Sequence, residues 1–212
     1  MELLAAEAQR SASSSKLMSD DLLPRISFVD YEDYGSLFVK AVECHDGNLL
    51  IYLDVKVDED AELPRSIRLT CKSYVESNLS PGSYVTLETA QDHALLWHYN
   101  QPHVLTTFHG KVSEPLSVVG ALFERHVDLV EGWIPFRKYL NTDLDLSALI
   151  GGSFGMIADG PERLIMAYEE VLRSYEVSVS HHKSSAAQDG SLSLLMLDQS
   201  YVIAKRFWAE AI

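Results

Sequence analysis

No apolar run in the chain is longer than five residues, Leu49 to Leu53. A membrane-spanning helix needs about 20, so no such span and no membrane partner are expected. Basic residues are scarce, with 17 Lys plus Arg against 31 Asp plus Glu and a formal net charge of −14 over 212 residues. Nucleic acid is therefore not an expected partner, because phosphate contacts need clustered cations. Cysteine is nearly absent. Cys44 and Cys71 share no metal or redox spacing and fall in strand-patterned stretches, which suits buried thiols in a reducing cytoplasm. The N-terminus also lacks the cations of a secretory signal, since Glu2 and Glu7 flank Leu3-Leu4-Ala5-Ala6, and a cytoplasmic location is expected. No period of about 20 to 50 residues recurs, which removes solenoids and propellers.

What is present is a globular composition, 47% apolar and 23% charged. A chain of this length buries roughly 70% of its unfolded surface without disulfides or metal, so stability calls for no cofactor. Residues 1–23 read as a tail, because Ser11-Ala12-Ser13-Ser14-Ser15 offers little apolar surface to order them. From Ser36 to Thr89 the pattern has period two. Ile51, Leu53, Val55 and Val57 share one face, then Ile67, Leu69 and Cys71, then Val85 and Leu87. Asp46-Gly47 and Pro81-Gly82 supply tight turns, and Ala94–Tyr99 and Val104–Phe108 read as one more hairpin around Asn100-Gln101-Pro102. The half spanning 24–112 is thus an antiparallel β-meander of about six strands.

The period changes at Ser113. A cap there, Pro115 in the first turn, Leu116, Val119, Phe123, Val127 and Val130 at helical spacing, and Gly132 as a left-handed stop predict an amphipathic helix packed on the sheet. Phe154–Ala158 reads as a strand and Pro161–Ser174 as a helix, with Asp159 and Glu162 spaced as a capping box. Glu176–Ser180, Leu192–Leu197 and Tyr201–Phe207 read as further strands. The half spanning 113–212 is a smaller β-α-β-β-β unit in which a crossover helix joins two parallel partners. The fold class is α+β, and the two halves are expected to form one domain.

Gly151-Gly152-Ser153-Phe154-Gly155 matches G-x-S-x-G, the pattern of a nucleophile elbow. An elbow needs a helix directly after the serine, whereas here Met156-Ile157-Ala158 continues as strand. A bend is the expected role, and no catalytic residue is assigned. His93, His98, His103 and His109 cluster around the Pro102 turn, but Pro102 disfavours both loop lengths that would pair them, so no metal site is expected. Asp58, Glu59 and Asp60, in an acidic run that begins at Asp54 and ends at Glu62, suit a solvated turn, with calcium or a basic partner as the alternatives. Trp133-Ile134-Pro135-Phe136-Arg137-Lys138-Tyr139 puts three aromatics and two cations in seven residues. Large aromatics beside cations on an irregular connector are the composition of binding anchors. Trp133 is expected to close the core, and at least one of Phe136 and Tyr139 to reach the surface beside Arg137 and Lys138.

The expected function is a non-catalytic binding or accessory protein acting through a protein partner of basic character, with Trp133, Phe136, Arg137, Lys138, Tyr139, Asp58, Glu59 and Asp60 as its contact residues. The alternative is a small hydrolase or ligand-binding enzyme with a pocket near Ser153 between the two halves, drawing on Asp159 and His181 or His182.

Overall fold

A computed structural model describes residues 22–27, 29, 31, 35–57, 63–185 and 191–212. Asp58, Glu59 and Asp60, residues 1–21 of the expected tail and most of the loop after Ser185 lie outside the described residues. Five helices and ten strands are described, the strands in two antiparallel sheets, so the fold is α+β and mostly sheet. No helix among the described residues is long and apolar enough to cross a membrane.

The chain forms two compact units, one from 1–91 with 192–212 and the other from 92–191. The first unit holds α1 (Leu22–Ser27), β1 (Gly35–His45), β2 (Asn48–Val57), β3 (Ser66–Ser77), β4 (Gly82–Tyr84), β5 (Glu88–Ala90), β9 (Ser193–Leu197) and β10 (Ser200–Ala211). Its seven strands run in the order β4-β1-β2-β3-β10-β9-β5. The meander β1-β2-β3 follows from the period-two pattern. Asp46 and Gly47 both take left-handed φ, 47° and 74°, and close a two-residue hairpin. Ile51, Leu53 and Val55 are buried together with Ile67, Leu69 and Cys71. Leu22 and Ile26 of α1 join that core, so Leu22 is a core residue although it falls within the expected tail.

Two expectations fail in this unit. Val85–Leu87 is not a strand: the Asp198 carboxylate accepts the Val85 and Thr86 amides at 3.1 and 2.9 Å and takes their hydrogen bonds out of the ladder. Cys44 is exposed, with its Sγ 3.2 Å from the Tyr74 hydroxyl, whereas Cys71 is buried as expected.

The second unit holds α2 (Ala94–Asn100), β6 (His103–His109), α3 (Pro115–Val130), α4 (Leu146–Gly151), β7 (Phe154–Pro161), α5 (Glu162–Ser174) and β8 (Ser178–Ser185). Its sheet order is β7-β6-β8. The β-α-β-β-β order stands along the chain, but β7 and β8, joined by α5, do not pair: β6 lies between them and is antiparallel to both. The last two strands belong to the seven-stranded sheet. Ala94–Tyr99 is helix, not strand; Ala94 to Trp97 are all buried, so no polar face marked its period in the sequence, and His93 caps its start. The expected Asp159 cap is also absent, since Asp159 is a β7 residue whose Oδ1 accepts the Ser184 hydroxyl at 2.6 Å. The first amides of α5 are met from the α2–β6 turn instead: Glu162 N–H donates to Pro102 O and Arg163 N–H to Gln101 Oε1.

Candidate functional site

The connector after α3 is fixed by its backbone. Glu131 and Gly132 take φ of 51° and 84°, and two successive left-handed residues reverse the chain while the Glu131 amide bonds Val127 O and the Trp133 amide bonds Val130 O. Ile134 is buried, and its carbonyl oxygen accepts from His126 Nε2 at 2.7 Å. A carbonyl cannot donate, so Nε2 carries the proton and the other nitrogen, Nδ1, accepts the Tyr168 hydroxyl at 2.8 Å. Burial pushes that tyrosine well above its ordinary pKa and keeps it a donor. This chain from α5 through α3 bolts the connector in place.

Held in this way, the aromatic connector divides by depth. Tyr139 points inward, its ring centroid 6.0 Å from that of His98 and 5.9 Å from that of His103. A Cβ at Gly160 would stand 2.8 Å from Tyr139 Cβ, so only glycine admits this packing. Phe136 is half-buried, edge-on to Phe123 at 5.3 Å. Arg137 and Lys138 are exposed, the first donating to Leu144 O and the second lying 5.5 Å above the Tyr139 ring.

Trp133 is half-buried rather than sealed in the core. It lines a cavity of about 170 Å³ with Asp92, His93, Trp97, Glu131 and Arg163. The Arg163 guanidinium donates to both Asp92 carboxylate oxygens at 3.1 and 3.2 Å and lies 4.9 Å from the Trp97 ring. The His93 ring stands edge-on to Trp133 at 5.1 Å, and its Nδ1 accepts the Leu95 amide, capping α2. Burial holds this imidazole below its ordinary pKa, against the opposing pull of Glu131 and Asp92.

Of the five residues expected on the packed face of α3, Val130 is buried and Val119 packs against the core, whereas the other three reach the surface. Val118, Leu122, His126 and Val130 are buried, whereas Leu116, Phe123 and Val127 are 76%, 49% and 42% exposed. Large apolar side chains at i, i+7 and i+11 lie on one side of a helix. Gly120 falls among them, and a Cβ there would meet open space. Phe136 extends this stripe through its contact with Phe123.

The residues named for catalysis do not assemble around Ser153. Ser153 takes φ 69° in the turn from α4 into β7, a helix-to-strand order opposite to an elbow. His181 spends Nδ1 on the Thr106 hydroxyl at 3.0 Å and Nε2 on Glu169 at 2.7 Å, which leaves it no nitrogen for Ser153. This hydroxyl–imidazole–carboxylate chain has the groups of a catalytic triad, but Thr106 is fully buried. Glu169, itself buried, also pairs with Arg173, and together these groups hold α5 to β8 and β6. Sequence spacing could not have found it, because Thr106, Glu169 and His181 come from three elements. Among the described residues no group of three or more His, Cys, Asp or Glu could hold a metal. Compared with protein-family models, with curated proteins and with solved structures, the chain matches none.

Proposed function

We propose that this chain is a non-catalytic binding protein whose partner lays a basic amphipathic helix along the exposed face of α3. The observation that carries this reading is the stripe of Leu116, Phe123 and Val127, continued by Phe136, left at the surface although α3 has a second, buried face. Soluble proteins leave single hydrophobes exposed without consequence, whereas an aligned row points to a contact. Charge selects the occupant. Glu124 and Asp128 border the stripe on α3, Glu131 follows at its end, and the chain as a whole is strongly acidic. Arg125 on the same helix is already paired with Glu170. A partner helix with an apolar face and lysine or arginine flanks meets both features. The reading includes a cytoplasmic setting, which suits two free cysteines, one of them exposed.

The test uses a synthetic amphipathic peptide of leucine and lysine, with a leucine and glutamate peptide of the same pattern as control. The lysine peptide is expected to bind, to weaken as salt rises, and to lose roughly 2 kcal/mol, about 30-fold, in the double variant Leu116→Asp, Phe123→Asp. Val75→Asp, at an exposed hydrophobe of the first unit, should change nothing. Equal binding by the double variant, or equal binding of the glutamate peptide, overturns the proposal.

A further inference from the structure

The cavity beside Trp133 has a chemistry of its own, separate from the α3 stripe. We propose that it binds a small organic cation, a guanidinium or alkylammonium group, with Trp133 and Glu131 as its recognition groups. The argument starts from what the cavity already does with a cation of this chain. Arg163 rests on the Trp97 indole and is neutralised by both oxygens of Asp92. Indole and carboxylate together are what attract a cation to an aromatic face. Glu131 and Trp133 bring the same two groups to the lining from the end of α3, and Glu131 forms no ion pair among the described residues.

Charge decides against an anion. The lining has two carboxylates and one guanidinium, and that guanidinium is committed to Asp92. His93 adds no positive charge while its Nδ1 accepts the Leu95 amide. Size agrees: the space of about 170 Å³ is well above the roughly 10 to 15 Å³ that a single water needs. The backbone is also prepared. The two left-handed residues that turn the chain at Glu131 and Gly132, and the Ile134 carbonyl held by His126, fix the backbone that carries Glu131 and Trp133.

The test titrates the intact protein with methylguanidinium and with tetramethylammonium, and with methylurea as the neutral molecule of the same shape as the first. The readout is the NMR resonance of the Trp133 indole N–H, assigned by its loss in Trp133→Leu. Both cations are expected to shift it with dissociation constants of roughly millimolar, and methylurea to leave it unmoved. Glu131→Gln, an exposed substitution that leaves the fold intact, should weaken the cations by about fivefold or more. Agmatine and a blocked Gly-Arg-Gly peptide separate the two sources of a guanidinium: tighter binding of the first assigns a free amine, and of the second a protein side chain. A methylurea shift equal to that of methylguanidinium, or unchanged affinity in Glu131→Gln, overturns the proposal. Because neither Leu116 nor Phe123 is touched, failure here leaves the α3 proposal standing, and the reverse holds.

Discussion

His93 uses Nδ1 to cap α2, so the neutral ring carries its proton on Nε2, and a second proton can enter only by breaking the cap. The cavity residues facing it are Asp92, Glu131, Arg163 and Trp133. The two carboxylates favour the charged ring, but burial outweighs them and the folded-state pKa lies below the ordinary 6.5. The sign follows. Between the depressed value and 6.5 the unfolded chain binds a proton that the folded chain does not, so stability from this group is complete above the ordinary value and is lost as pH falls through the folded one. His93→Asn keeps a side-chain oxygen for the cap and removes the titration. The wild-type melting temperature is expected to fall further than that of His93→Asn between about pH 7.5 and about pH 5.5, the span in which an ordinary histidine titrates. Parallel curves would show that this ring has no part in acid sensitivity. Neither Asp92 nor Arg163 was legible as a neighbour of Trp133, because they reach the cavity from before α2 and from the start of α5, whereas the aromatic content of the connector was plain from its composition.

At the scale of elements, α3 shows what periodicity can and cannot say. Its existence was legible from Pro115 to Val130, but the apolar stripe through Leu116, Phe123 and Val127 is more regular than the buried one, which includes the polar His126. His126 is admitted to the core because both its nitrogens are bonded, a condition no single helix reveals. The result is an element with two apolar faces, one spent on folding and one at the surface. Leu122→Ala is therefore expected to cost roughly 2 to 5 kcal/mol, as for a leucine deleted from a packed core. Leu116→Ser, three-quarters exposed, should stay within about 0.5 kcal/mol of wild type. Urea denaturation measures both, and a large loss from Leu116→Ser would mean that the stripe belongs to the fold. The short α2 failed for a different reason: a helix buried over its first four residues presents no period to read. The strands β1 to β3 succeeded because one wet face and one dry face leave an alternation that tertiary contacts reinforce.

The path of the whole chain follows from pairings that local pattern does not encode. β3 pairs with β10, and β5 with β9, across the entire stretch 92–191. Ala90 faces Leu194 in the β5–β9 ladder, so the chain leaves the first unit and returns to it on neighbouring strands, where facing Cα atoms stand about 5 Å apart. Among the described residues the two hydrophobic clusters take their members from one unit each, Ala94 to Val177 in one and Leu22 to Leu87 with Leu195 to Ala209 in the other. A unit with a hydrophobic cluster of its own and ends on neighbouring strands is expected to fold alone. Residues 92–191 expressed by themselves are expected to unfold in one cooperative transition and to keep the near-ultraviolet circular dichroism of packed aromatics, while the remainder, rejoined by a short Gly-Ser loop from Gln91 to Leu192, should do the same. Both the α3 stripe and the Trp133 cavity lie within 92–191, so the isolated unit should bind the lysine peptide and methylguanidinium with the affinities of the full chain, and the rejoined remainder should bind neither. A non-cooperative melt of 92–191 would show that its core is not self-sufficient. Binding by the remainder would place the recognition surface on the seven-stranded sheet.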